Sequence, residues 1–245
     1  LSSSRSNSEP GGTAVFLIDS RLFSTDDLAS FEQRLDEAAA KRLAGFVRGE
    51  RRRQFILGRM LLRLAACRWR SAAWNDVTIE EGEVRPQLRF VDGRDLACSI
   101  SHSRHWIGCA VADCNKLGLD LEVVDDSRDI AGLTQVGMEA AEAHWVLQRT
   151  AQQRSDAFYR LWCMKEALYK MEGISNLPAA VLLAGETAPL VTTDDMAFHV
   201  LPQPELAIAV CAEPQAGAPT ITSITDLRLE LRMCGAYSRT TDIDT

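Results

Sequence analysis

The sequence predicts an α+β fold built as two similar lobes. Each half runs in the same order, from a strand through helices to further short strands. The last clear strand, at residues 206–211, resembles the stretch 106–112 in its small apolar character. A chain of 245 residues with 46% hydrophobic content is long enough for one large domain or two small ones and buries a proper core.

The elements follow in order. Residues 1–12 are polar and rich in Ser and Gly, and read as a disordered lead-in with no secretory character. Residues 14–18 form a first strand. Ser24 or Thr25 then caps a helix whose first turn carries Asp26 and Asp27. The helical pattern breaks near residues 45–49 and resumes in a basic helix with Arg51, Arg52 and Arg53 near its start. Between Trp74 and Asp95 the pattern is short strands and turns, with Arg85-Pro86 barring a helix and Asp92-Gly93 marking a tight turn. Residues 97–103 and 106–112 pair as a hairpin leading to the strand at 117–123. An acidic loop at 125–129, a helix over 139–149 and a second helix over 158–171 come next. Three short strands at 179–184, 197–201 and 205–212 are set apart by Pro178, Pro202, Pro204 and Pro214, and from Glu213 onward the signal fades into a tail.

Composition excludes several classes. No apolar run is long enough to span a bilayer. Seven cysteines, without a C-x-x-C pair and without zinc spacing to His102, His105, His144 or His199, read as free thiols of a reducing cytoplasm. The net charge of −7 is uneven. Residues 41–70 carry Lys41 and nine arginines against Glu50 alone, which marks that segment for anions. Its apolar residues at helical spacing make it a folded amphipathic helix pair, and with the overall acidity this argues against a nucleic-acid arm.

Three stretches carry candidate chemistry. In Leu-Gly-Leu-Asp-Leu-Glu-Val at 117–123 the alternation puts Asp120 and Glu122 on one face and leucines on the other, a half-buried strand. At a rise of about 3.3 Å per residue their Cα atoms lie roughly 6.6 Å apart, within reach of one hard cation; a solvent-facing strand surface is the alternative. Ser101 and His102 at a strand end suit phosphate binding, or simply a hydrogen-bonded turn. On the helix over 158–171, Leu161, Met164, Leu168 and Met171 form a core stripe beside a face with Trp162, Glu166 and Lys170. Glu166 and Lys170 are either a surface i,i+4 pair or part of a half-buried charged cluster that needs a partner such as a metal-bound pyrophosphate.

Taken together, S-x-S-H-S at 99–103, G-L-D-L-E at 118–122 and L-W-C-M-K-E-A-L-Y-K at 161–170 resemble the 4′-phosphopantetheinyl transferases of the Sfp type. The likeness extends to G-R-x-L-L-R at 58–63 and to Arg85-Pro86, which stands where the family has G-K-P; the family's F-S-x-x-E is at best Val136-Gly137-Met138-Glu139 here. The resemblance implies two pseudo-twofold-related lobes, an N-terminal one at 13–116 and a C-terminal one at 117–212, with coenzyme A and Mg²⁺ in the cleft between them and a tail at 213–245. It implies Asp120, Glu122 and Glu166 as magnesium ligands, and Glu166, Lys170 and His102 as the catalytic set, Glu166 being the base. Arg53, Arg85, Ser101, His102, Lys165 and Lys170 would bind the coenzyme. The implied reaction moves phosphopantetheine to a serine of an apo acyl or peptidyl carrier protein and releases 3′,5′-ADP, in a cytoplasmic monomer without nucleic-acid or membrane partners. A non-catalytic module of the same fold that binds coenzyme A or carrier protein is the alternative.

Overall fold

The structure, a computed structural model, describes residues 12–82, 85–178, 181 and 190–236. It is α+β, with two four-stranded sheets back to back and a 22-residue helix on the outer face of each. Residues 179–184, expected as a strand, lie outside the described residues except for Val181. No helix among the described residues is long and apolar enough to cross a membrane.

The first sheet contains β1 (Thr13–Asp19), β4 (Ala97–Ser103), β5 (Trp106–Ala112) and β10 (Pro219–Ser223), in the order β10-β1-β5-β4. Helices α1 (Thr25–Glu32), α2 (Glu37–Ala44) and α3 (Gly49–Arg70) follow β1. Ser24 caps α1 in a reciprocal box with Asp27, which satisfies donors that the first turn leaves without partners. Helix α3 buries Ile56, Leu57, Met60, Leu61 and Leu64 against Phe16, Ile18, Ile107 and Cys109 of the sheet. The hairpin of β2 (Val77–Glu81) and β3 (Pro86–Phe90) closes one end of this core.

The second sheet, in the order β6-β9-β8-β7, is built from β6 (Leu117–Val123), β7 (Leu190–Thr192), β8 (Ala197–Gln203) and β9 (Leu206–Ala212). Between β6 and β7 come α4 (Ile130–Gly137), α5 (Ala140–Leu147) and α6 (Ala151–Glu172). Helix α6 lays Leu161, Met164, Leu168 and Met171 over Phe198, Ala209 and Cys211. In both sheets the first strand of the half pairs with the second strand of a later hairpin, β1 with β5 and β6 with β9. Between the sheets, Val15, Leu17 and Ala110 pack on Leu119, Leu121, Ile208 and Val210.

Two expectations need correction. The chain after Glu213 is not a featureless tail: β10 pairs parallel with β1, and α7 (Leu227–Met233) buries Leu227 and Leu231 in the first core with Ile224. A five-residue strand whose partner is about 200 positions away has little local pattern to announce it. The strand β6 is also not half-buried. Its Asp120 is only 5% exposed because α6 and β4 cover the face that bears it.

Candidate active site

The site lies along the seam where the edge strands β4 and β6 of the two sheets meet. The strand β9 takes one edge of β6 and leaves the N–H groups of Leu119, Leu121 and Val123 on the other. Each is satisfied by a serine of β4: Leu119 donates to Ser99 Oγ at 2.9 Å, Leu121 to Ser101 Oγ at 3.4 Å and Val123 to Ser103 Oγ at 3.1 Å. Strand alternation puts these serines on one face of β4. Two of them also donate to the acidic residues of β6, Ser101 to Asp120 Oδ1 at 2.8 Å and Ser103 to Glu122 Oε2 at 2.5 Å. Ser99 and Ser103 went unassigned in the sequence, although their in-phase spacing with Ser101 was a readable signal.

Helix α6 supplies the opposite wall. It can approach because position 118 is glycine: a Cβ there would stand 1.8 Å from Ala167 O and 3.0 Å from Met171 N. That approach sets Lys170 over β6, where its Nζ donates to Asp120 Oδ1 at 2.7 Å, Ser101 Oγ at 2.9 Å and Leu119 O at 3.0 Å. Glu166, one turn earlier on the helix, is partly exposed. Lys165 points elsewhere, against the expectation that it binds coenzyme. Its Nζ forms a buried ion pair at 2.5 Å with Glu142 of α5, and a side chain held this way ties two helices together and is closed to a ligand.

The arginines are also sorted by structure. Arg53 donates Nη1 to the carbonyl oxygens of Ser20 and Phe23, both at 2.7 Å, and so secures the β1–α1 turn instead of reaching the seam. Arg51, two residues earlier on the helix, brings Nη1 to 2.7 Å from His102 Nε2. The basic excess of residues 41–70 is spent largely within the fold, as Arg42, Arg52, Arg59, Arg63, Arg68 and Arg70 pair with Glu81, Glu32, Asp36, Glu230 and Asp113. Arg85 is exposed at the end of α6, donates to Lys170 O at 3.3 Å, and lines a groove with Arg89 and Asn115. A guanidinium is favourable at a helix C-terminus.

The electrostatics identify what the seam lacks. Burial pushes the Glu122 carboxyl above the ordinary glutamate range, and the like charge of Asp120 adds to this while the Ser103 hydrogen bond offsets part. Glu166 is raised in the same way, by burial and then by Asp120, against Lys170 and Lys165. Desolvation and the Arg51 charge hold the His102 imidazole below the usual histidine range. Asp120 Oδ2 is buried without a hydrogen-bond partner. Among the described residues no three His, Cys, Asp or Glu side chains are gathered into a metal-holding set. A closed cage is not what Mg²⁺ needs, since it is commonly held by one or two carboxylates together with substrate phosphates and water. An orphaned carboxylate oxygen beside two carboxyls raised by burial and by its like charge fits such a cation.

Comparison with known proteins bears on the same strands. The model of the 4′-phosphopantetheinyl transferase superfamily matches residues 116–216, the span from β6 through β9 that includes all of α6. Over that span the chain is similar to the superfamily. The chain is 28% identical over 207 residues to the 4′-phosphopantetheinyl transferase psf-1 of Bacillus pumilus, covering 80% of this chain and 84% of the relative. It is 29% identical over 145 residues to HetI of Nostoc, covering 57% and 61%, and 30% identical over 119 residues to Sfp of Bacillus subtilis, covering 48% and 51%. Both relatives bear the same activity in their names.

Proposed function

We propose that the protein moves the 4′-phosphopantetheine group of coenzyme A to a serine of an apo acyl or peptidyl carrier protein in the cytoplasm, as a Mg²⁺-dependent monomer that releases 3′,5′-ADP. The observation that carries the reading is the seam itself: a buried aspartate with one oxygen lacking a partner, two neighbouring carboxyls raised by burial and further by its charge, and a lysine poised over it.

In this reading Asp120, Glu122 and Glu166 hold the cation. The chemistry a cation held by these residues would supply is neutralisation of pyrophosphate charge and of the charge growing on the departing phosphate oxygen. Lys170, His102 and Arg51 meet phosphate oxygens from the protein side. The low basicity of His102 suits a neutral imidazole in the free enzyme that gains a proton only beside an anion. Ser101 orients Asp120 and Lys170 together, because its hydroxyl touches both. Arg85, exposed at the rim of its groove, is placed to receive the nucleotide end.

Glu166 is the base. It is the one carboxyl of the three on the α6 wall, it is partly open to an incoming protein, and its raised pKa brings it closer to the working pH. It takes the proton of the carrier serine as the serine oxygen bonds to the β-phosphorus. The bond from that phosphorus to the bridging oxygen breaks, and the electron pair leaves on the 5′-phosphate of 3′,5′-ADP.

The test is to mix the protein with coenzyme A, Mg²⁺ and a panel of apo carrier proteins, and to weigh the carriers intact. A gain of one phosphopantetheine that EDTA abolishes is the expected result. No gain on any carrier refutes the reaction, and a gain that persists in EDTA refutes its metal dependence.

A further inference from the structure

The serines of β4 differ in one respect. Ser99, Ser101 and Ser103 all accept an edge N–H of β6, but Ser99 stops there, Ser101 shares its carboxylate with Lys170, and Ser103 alone holds Glu122. The Ser103 hydroxyl is fixed at both ends: it accepts from Val123 N at 3.1 Å and donates to Glu122 Oε2 at 2.5 Å. Since Val123 follows Glu122 on the same strand, the two bonds clamp the carboxylate to its own backbone from across the seam. Ser103 is 9% exposed, so little water competes for either bond.

We infer that Ser103 is a positioning residue that presents Glu122 preformed to the divalent cation, so that the chain's second lobe supplies the ligand and its first lobe sets the ligand's orientation. This rests on the reading of Glu122 as a cation ligand. Groups that hydrogen-bond a ligating side chain commonly change metal affinity by about 10- to 100-fold when removed, because an unheld carboxylate loses rotamer entropy on binding. Ser99 is the internal control, being a serine of the same strand with the same backbone bond and no carboxylate.

The experiment titrates free Mn²⁺ by electron paramagnetic resonance against the full chain with coenzyme A and no carrier protein, so that no turnover is needed. Ser103→Ala and the near-isosteric Ser103→Cys are each compared with wild type, Ser99→Ala and Glu122→Ala. We expect wild type and Ser99→Ala to bind Mn²⁺ alike, both Ser103 variants to bind about 10-fold more weakly or worse, and Glu122→Ala to bind weakest. Should Ser103→Ala fail to unfold cooperatively, the Cys variant carries the same expectation with its volume kept. In turnover, the Ser103 variants should need more Mg²⁺ and recover kcat once saturated. Wild-type affinity in the Ser103 variants alongside a weakened Glu122→Ala overturns the inference and leaves the ligand reading standing. Equal weakening by Ser99→Ala assigns the effect to the seam as a whole and overturns it too. Unchanged binding in Glu122→Ala removes the ligand reading and the inference with it.

Discussion

Gly118→Ala tests whether the contact between α6 and β6 sets the geometry of the site. A methyl at position 118 would stand 1.8 Å from the Ala167 carbonyl oxygen, whereas real Cβ contacts essentially never fall below 3.0 Å, so the helix must retreat by at least about 1.2 Å. The obstacle is backbone of a 22-residue helix packed on two strands and cannot rotate away like a side chain. Overpacking of this kind costs about 1–3 kcal/mol, and the upper end is expected here; at about 2–4 °C per kcal/mol for a chain of this size, Tm should fall by roughly 6–12 °C. Glu166 and Lys170 ride on the same helix, immediately before and three residues after Ala167. A displacement of about 1 Å in catalytic groups costs on the order of 100-fold in rate. Thermal unfolding followed by circular dichroism, with turnover measured by intact mass at a temperature where the variant is fully folded, reads both quantities. A variant with wild-type Tm and wild-type turnover would show that the helix does not lie on β6 as described.

Other outcomes follow from individual contacts. Asp120→Ala and Glu166→Ala should each abolish phosphopantetheine transfer while leaving a cooperative unfolding transition; full activity in either removes that residue from the site. Lys165→Met leaves Glu142 as an uncompensated buried carboxylate and should cost about 3–5 kcal/mol by urea titration, with coenzyme A affinity unchanged in the folded fraction; a selective loss of coenzyme affinity would return Lys165 to the binding set. The Glu166 carboxyl is raised in the folded state, so its contribution to stability is fully present below the unfolded value of 4.5 and is lost as pH rises through the folded pKa. Glu166→Gln should therefore gain stability over wild type as pH rises through that window in EDTA, and added Mg²⁺ with coenzyme A should close the gap. Glu81 has the opposite sign. Burial pushes it up, but the Arg59 hydrogen bond and the Arg59 and Arg42 charges outweigh this and hold it low. Its advantage over Glu81→Gln is then present above pH 4.5 and fades as pH falls through the depressed pKa, which acid unfolding of the pair would show or refute.

Much of the site was legible in local pattern. The alternation at 117–123 identified β6 and the shared face of Asp120 and Glu122, and the helical period at 158–171 put Glu166 and Lys170 beside a core stripe that is indeed buried. The β4–β5 hairpin and the Ser24 cap came from the same kind of short-range signal. Lys165 shows where such reasoning ends. It adjoins Glu166 in the motif, but neighbours on a helix are turned about 100° apart, and the rotation carries Lys165 to α5 and Glu142. Arg51 and Arg53 exchange roles for a related reason: which arginine of a run faces the cleft depends on the helix's rotation about its axis, and the β1–α1 turn claims Arg53.

The sequence by itself determined most of the elements up to residue 212 and their order, the α+β class, and the set of acidic and basic residue types that point to a cation and phosphates. These are consequences of periodicity, capping and side-chain chemistry, all of which act over a few residues. Tertiary structure alone decided that β4 and β6 meet edge to edge through serines, that Ser103 grips Glu122, and that β10 and α7 come back to join the first sheet and its core. Each of those joins groups 19 or more positions apart. Their energy comes from satisfying edge N–H groups and filling a core only after both sheets have formed, so no local stretch of sequence carries the signal.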